Sequence, residues 1–146
     1  MGYKIRKLEI KTKKQGLEEF AKIGSTVPGQ HIMVNKIFPL ALKVKGLNPR
    51  GADILKQEML SRNGDVVTSR NTLIQQEGFT DVIILGTEKS VRSLSEKIKI
   101  QPFGLKNLSE ELLKYLDFLK EKSTQNFLKI GKNSIDILNN GPLVMG

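Results

Sequence analysis

The chain has 146 residues and a formal net charge of +9, with 38% hydrophobic and 27% charged residues. This composition is typical of one folded domain with its own core, alone or with part of a second. The absence of cysteine excludes disulfides and thiolate metal sites. No apolar run approaches the roughly 18 residues that span a bilayer. The N-terminus has no apolar signal core, so we expect a cytoplasmic protein without a membrane partner.

The positive charge is concentrated in the first third of the chain. Residues 1–45 contain 10 Lys/Arg and 3 Asp/Glu, which is +7 of the total +9. No RNP-like, zinc-finger or basic-zipper pattern accompanies these residues, and the chain has two tyrosines and no tryptophan for base stacking. We therefore expect a solvated basic surface rather than a nucleic-acid site. A free-standing basic module that binds RNA or an acidic protein partner is the alternative hypothesis.

Strand and helix signals alternate before the break at Asn48-Pro49-Arg50-Gly51. Pro39 is compatible only with the first turn of a helix, which limits where a helix around it can begin. The predicted elements are an exposed strand at 3–11, a helix at 14–23 ended by Gly24, a turn at 25–30, a short buried strand at 31–34, and a helix at 36–45.

Beyond the break the apolar spacing is clearer. The predicted elements are a helix from Asp53 to Arg62 ended by Asn63-Gly64, strands at 65–70 and 81–85, a helix from Glu88 that ends before Pro102, a helix at 108–121 with a capping box at Asn107 and Glu110, and a hairpin of strands 127–130 and 134–138. The fold class is therefore α/β or α+β, a mixed sheet packed with helices. We expect a domain at 1–121, followed at 122–146 by a linker, the hairpin and the start of a further strand.

Few residues in the chain could carry out catalysis. His31 is the only histidine, and its apolar neighbours predict a packed side chain. The sequence contains no Walker loop, no GxGxxG, no EF-hand and no pair of histidines at metal-ligand spacing. We expect no catalytic residue and no metal site in this chain.

Gly86-Thr87 is the first of two candidate ligand sites. A strand at Val82–Leu85 passes through these residues into a helix, and free amides at a helix start can hold a phosphate. The structural alternative is that Gly86 makes a tight turn and Thr87 caps the helix. A small-molecule site formed by Gly86, Thr87 and Gln101 is a third hypothesis for the function of the chain.

Lys56 and Asp65 form the second candidate site, on and after the helix at 53–62. Lys56 and Glu58 are two residues apart, so they point to different sides of a helix and cannot easily face one ligand. A structural helix that ends at Asn63-Gly64 is the alternative.

The same segments resemble a known family. The segments that carry the resemblance are, in chain order, ILKQEML, NGD, TDVIILGT and QPFGL. Their residues and their order are similar to those in the N-terminal extension of some prokaryotic dihydropteroate synthases. Gly141-Pro142-Leu143-Val144-Met145-Gly146 resembles the family's lead-in to its first barrel strand, where Ile-Leu-Asn-Val-Thr-Pro-Asp-Ser-Phe follows. One departure is Asn63-Gly64-Asp65-Val66-Val67-Thr68, where family members tend to have Gly-Gly-Asp-Ala-Ala-Val.

The resemblance implies a parent enzyme that condenses hydroxymethyl-dihydropterin pyrophosphate with 4-aminobenzoate in folate synthesis. It places that reaction in a (β/α)₈ barrel beyond Gly146, with any Mg²⁺ in the barrel and no cofactor in this chain. The hairpin is expected to cap the barrel. This chain alone is then an inactive accessory domain, with the barrel of the same polypeptide as its partner and with homo-oligomers as a further expectation.

Overall fold

The computed structural model describes residues 2–70 and 78–130, with side chains as far as Lys122. Within these residues the architecture is α+β, with five helices, one 3₁₀ turn and three strands. The elements are α1 (Lys13–Ile23), α2 (Val27–Met33), a 3₁₀ turn (Val34–Lys36), β1 (Pro39–Leu47), α3 (Pro49–Leu60), β2 (Asp65–Val67), β3 (Thr80–Thr87), α4 (Glu88–Ile98) and α5 (Leu105–Ile130). None of the described helices is both long enough and apolar enough to cross a bilayer.

The three strands form one antiparallel sheet in the order β1-β3-β2. β1 and β2 both run antiparallel to β3, so they are parallel to each other, with α3 as the crossover between them. A bulge interrupts β1 between Val44 and Leu47. Gly46 in this bulge has φ 75°, and its N–H donates to Asp81 Oδ1 at 3.0 Å. The bulge depends on a left-handed residue, which glycine provides without a steric cost.

The core lies between one face of this sheet and the helices. Because side chains alternate along a strand, Val82 and Ile84 of β3 point into the core together with Val66 of β2. Burying a large apolar side chain stabilises the fold by about 1.5–3 kcal/mol. The helices contribute Ala52, Leu55, Met59, Val91, Leu94, Ile98, Leu105, Leu108, Leu112 and Leu116.

α4 and α5 pack as an antiparallel pair. The buried Ser109 Oγ donates to the carbonyl of Ser95 at 2.6 Å. Further along α5, Asp117 forms an ion pair with Arg92 at 3.1 Å. Later positions of α5 therefore lie beside earlier positions of α4. The C-terminal half of α5 lies at the end of the domain where α4 begins and β3 ends.

The first two helices form a smaller unit beside α4. Thr12 and Gln15 form a capping box that starts α1, and Gly24 at φ 89° ends it, as predicted. α1 packs on α2 and on the 3₁₀ turn, and Lys13 of α1 reaches Glu88 of α4 at 3.5 Å.

Four predictions before residue 48 are wrong. Residues 3–11 form neither strand nor helix, because no strand of the described sheet pairs with them. The expected turn at 25–30 and strand at 31–34 are α2 and the 3₁₀ turn. Thr26 accepts a hydrogen bond from the Gly29 N–H, and Pro28 lies in the first turn, where its missing N–H costs nothing. The predicted helix at 36–45 is β1.

The boundaries of later elements also differ from the predictions. α4 and β3 are confirmed, whereas the strand predicted at 65–70 ends at Val67. α3 is capped by Asn48 rather than by Asp53. α5 begins at Leu105, directly after Gly104 at φ 79°, so Asn107 lies inside the helix and forms no capping box. The helix continues to Ile130, so the predicted strand at 127–130 is wrong.

The rest of the predicted hairpin and the barrel lead-in at 141–146 lie outside the described residues, as does most of the irregular segment predicted at 71–80. The domain boundary proposed at 121 stays a prediction.

Candidate functional site

A shallow groove of about 500 Å³ contains three of the five predicted site residues, Asp65, Gly86 and Thr87. Its walls come from the start of β1, the start of β2 and the end of β3, which meet at one end of the sheet. The apolar side chains of its lining are those of Pro39, Leu40, Ala41 and Leu85. The strands therefore bring together residues that are twenty or more positions apart in the sequence.

Packing on the inner side of the sheet explains the glycine at position 86. A Cβ added at Gly86 would lie 2.5 Å from Ser90 Oγ and 2.7 Å from Met59 Cε. Gly64 is similar, because its Cβ would lie 2.5 Å from the same Met59 methyl and 2.6 Å from the Leu85 carbonyl oxygen. Met59 is fully buried. Both glycines therefore make room for the Met59 side chain in the core.

Thr87 is the N-cap of α4. Its Oγ1 accepts a hydrogen bond from the Ser90 N–H at 3.2 Å, and Ser90 Oγ accepts one from the Thr87 N–H at 2.8 Å. These reciprocal bonds use two of the donors that a phosphate would need. Glu88 follows in the first turn of α4. Its carboxylate would repel an anion at this site, even though it also forms ion pairs with Lys13 and Arg92. The capping alternative is the one that the geometry shows; a ligand role for Thr87 stays a prediction.

Lys56 and Asp65 form an ion pair that joins α3 to β2. Lys56 Nζ lies 2.9 Å from Asp65 Oδ1 and donates to the Val66 carbonyl at 3.1 Å. The hydrogen bond from Lys56, followed by that from the Val66 N–H at 2.7 Å, lowers the pKa of Asp65 below its ordinary value of 3.8. Glu58 instead bonds Arg62 at 2.9 Å, so Lys56 and Glu58 have different partners, which agrees with the prediction that they point to different sides of the helix.

Gln101 and His31 lie away from the groove. Gln101 follows α4, and its N–H donates to the Ile98 carbonyl at 3.1 Å. The 11 residues of α4 rise about 16 Å between Thr87 and that end, so the structure does not bring Gln101 to Gly86. His31 is exposed, contrary to the prediction of a packed histidine. Its neighbour Gln30 is the buried residue, and it donates to the Ser25 carbonyl at 2.8 Å.

No group of three or more acidic or histidine side chains that could hold a metal ion occurs among residues 2–70 and 78–122.

The main feature that the sequence analysis missed is the outer face of the sheet, opposite the core. Two cross-strand rows lie on this face: Ala41, Leu85 and Asp65 in one, and Lys43, Ile83 and Val67 in the other. Val67 is 51% exposed and Leu85 38% exposed, and no described helix covers them. We name this surface the outer sheet face. The uninterrupted apolar run of β3 was the available signal, because such runs are typical of strands buried on both faces.

Comparison with known proteins gives one partial match. The bifunctional dihydropteroate synthase/dihydropteroate reductase of Helicobacter pylori (strain ATCC 700392 / 26695) is 34% identical over 104 residues, which is 71% of this chain and 27% of that protein. No model of a protein family matches the chain. No solved structure matches it either. The chain is therefore similar to about a quarter of a protein related to dihydropteroate synthase, which supports the sequence resemblance in its broad form.

Proposed function

We propose that this chain is a non-catalytic N-terminal domain of a dihydropteroate synthase and that the catalytic barrel follows it. One observation carries the proposal, the 34% identity over 104 residues to a bifunctional synthase/reductase of which those residues make up 27%. A region of that size is a small part of the relative and is too short for a (β/α)₈ barrel, which needs about 250 residues.

The described fold supports an accessory role. Its three-stranded antiparallel sheet is not part of a parallel eight-stranded barrel. The candidate site residues have structural partners of their own: Gly86 accommodates Met59 and Ser90, Thr87 caps α4, and Lys56 pairs with Asp65. The proposed role of the domain is therefore to pack on the barrel and support its assembly.

Enzyme assays test the proposal. We expect residues 1–146 alone to give no dihydropteroate from hydroxymethyl-dihydropterin pyrophosphate and 4-aminobenzoate with Mg²⁺, while the Helicobacter pylori bifunctional protein serves as the positive control. Turnover by residues 1–146 above the rate of a heat-denatured sample would contradict a non-catalytic role. A longer polypeptide from the same gene is expected to be active.

A basic binding module is the second candidate. It rests on the exposed Lys4, Arg6, Lys7 and Lys11, none of which forms an ion pair among the described residues. Titration with mixed-sequence RNA at two salt concentrations tests it, since several phosphate contacts give a steep salt dependence. Binding that is negligible at about 0.1 M salt, where the Debye length is about 10 Å, would exclude this candidate.

A further inference from the structure

We propose that the outer sheet face joins two copies of this chain in a homodimer. The two faces pack on each other about a twofold axis that is parallel to the strands. The inference concerns only residues that this chain supplies, and it does not depend on the proposed function. It rests on two features of the face, which are its apolar centre and the separation of opposite charges to its two edges.

The centre of the outer sheet face is more apolar than a sheet surface in water usually is. In an antiparallel sheet with one solvated face, apolar and polar residues alternate along each strand, but β3 has four consecutive apolar residues from Val82 to Leu85. Val82 and Ile84 fill the core, so Ile83 and the 38% exposed Leu85 point to the outer side. Val67 of β2, beside Ile83, is 51% exposed. An exposed apolar strip of this kind is typical of a contact surface.

Opposite charges lie on the two edge strands of the face. Lys43 of β1 is exposed, lies beside Ile83, and forms no ion pair among the described residues. Asp65 of β2 lies one row away, on the opposite edge. Its side chain is 51% exposed, and the hydrogen bonds from Lys56 and from the Val66 N–H both use Oδ1. The second carboxylate oxygen, Oδ2, is therefore available to another cation.

A twofold axis parallel to the strands brings these charges together. Because β3 is the central strand, an axis above it places β1 of each copy over β2 of the other. Lys43 of one copy is then opposite Val67 of the second copy, one row from Asp65. One row is about 6.7 Å along the strand, a distance that the methylene groups of lysine span while they cover apolar surface. Symmetry gives two such ion pairs.

The other positions on the face are compatible with this arrangement. Ala41 of each copy is opposite Asp65 of the second copy, and its small side chain leaves room for the carboxylate and the approaching lysine. The apolar residues of β3 pack on their counterparts. At the other end of β3, Asp81 approaches its own counterpart, and Lys45 in the adjacent bulge of β1 offsets this repulsion.

The size of the face predicts a weak dimer. Three strands spaced about 4.8 Å apart form a strip about 14 Å wide, and six residues along β3 measure about 20 Å. The face therefore presents roughly 300 Å² on each copy, whereas stable complexes of separate proteins bury about 800 Å² on each partner. Smaller interfaces are typical of weak association, so we expect a dissociation constant of about 10 µM or weaker.

Sedimentation equilibrium of residues 1–146 tests the inference. Samples range from about 5 µM to about 1 mM, on either side of the expected dissociation constant. We expect the weight-average mass to rise with concentration from 16.4 kDa toward twice that value. A mass that stays at 16.4 kDa over the whole range would overturn the inference, and the face would then be assigned to another occupant.

A matched set of variants locates the contact. Val67→Lys places a lysine opposite Lys43 of the second copy, and Lys43→Glu places a glutamate one row from Asp65 of the second copy. We expect each variant to weaken dimerisation at least about tenfold through like-charge repulsion. Ile100→Lys is the control, at a site that is 84% exposed and follows the end of α4, and is expected to leave the dissociation constant unchanged. Circular dichroism melts are expected to show that all three variants fold, because each change is at an exposed position.

Mixing the two face variants tests the twofold arrangement itself. In a heterodimer of Lys43→Glu with Val67→Lys, the new glutamate lies opposite the new lysine, while the other half of the interface keeps the wild-type residues. We therefore expect an equimolar mixture to dimerise at least about tenfold more tightly than either variant alone.

Three results would assign the contact to another surface and overturn the inference. These are face variants that dimerise like the wild type, a mixture no tighter than its components, and a control that loses the dimer. None of these outcomes depends on synthase activity, and the enzyme assay does not depend on dimerisation of residues 1–146. The inference and the proposed function can therefore fail separately.

Discussion

Gly86→Ala tests the role that the structure gives to the candidate site. The new Cβ would lie 2.5 Å from Ser90 Oγ and 2.7 Å from Met59 Cε, well inside van der Waals contact. Forcing one extra carbon into a packed core costs about 1–3 kcal/mol, and the lower entropy of the unfolded alanine chain offsets about 0.4–1 kcal/mol of it. We expect the free energy of unfolding in urea to fall by about 1–2 kcal/mol, with an unchanged m-value.

A double-mutant cycle with Ser90→Ala shows whether this clash is the cause. Ser90→Ala removes the nearest atom, although it also costs about 1 kcal/mol through the lost capping bond. We expect the double variant to be more stable than the sum of the single effects by at least about 0.5 kcal/mol. Gly2→Ala, with no heavy atom within 4 Å, is the control and is expected to be neutral. Strictly additive effects, or a Gly86→Ala variant as stable as the wild type, would refute the packing explanation and favour a ligand role for Gly86.

Three further predictions concern single contacts. Thr87→Ala removes the N-cap of α4 and is expected to lower the free energy of unfolding by about 1 kcal/mol; a change below 0.3 kcal/mol in urea denaturation, against the roughly 1 kcal/mol typical of such caps, would argue against the cap. Ser109→Ala loses the buried bond to the Ser95 carbonyl and is expected to cost about 0.5–1.5 kcal/mol, with faster amide exchange where α4 meets α5. The pKa of Asp65 is lower in the folded state than its ordinary value of 3.8. Its ion pair with Lys56 therefore stabilises the fold at a pH above the unfolded pKa, which is near 3.8. This stabilisation is lost as the pH falls through the folded pKa. A carboxyl NMR titration of the wild type and of Lys56→Met is expected to show a higher Asp65 pKa in the variant, and equal values would contradict the pairing.

The later helices could be predicted because local signals agree with the final structure. α4 has a threonine N-cap and apolar residues at Val91, Leu94 and Ile98, all buried in the core. Glu58 and Arg62 have the spacing and the order of a helical ion pair, and the structure confirms it. In these cases the residue that sets the structure is within four positions of the one it contacts.

Two local signals disagree at β1, and the sequence analysis followed the one that favours a helix. Leucine, alanine and lysine favour a helix, but pairing of β1 with β3, whose partners are about forty positions away, overrides that preference. The alternation of partly buried Leu40, Leu42 and Val44 with exposed residues was the available strand signal.

For α2, Thr26 and Pro28 were the available helix-start signals.

The candidate site was predicted only in part, for a similar reason. Asp65 and Gly86 come together because β2 pairs with β3, a contact that the sequence does not define. Gln101 was grouped with Gly86 by closeness in sequence, but a whole helix separates them. The contact of Met59 with both Gly64 and Gly86 left no signal in the sequence, since it depends on how α3 packs on the sheet.

The most direct test of the proposed function is the reading frame of the source gene beyond codon 146. If this chain is the N-terminal domain of a dihydropteroate synthase, Ile-Leu-Asn-Val-Thr-Pro-Asp-Ser-Phe or a close variant follows Gly146, and coding sequence for a barrel of about 250 residues continues. A stop codon directly after Gly146 would contradict the proposal, and the chain would then be studied as an independent binding protein.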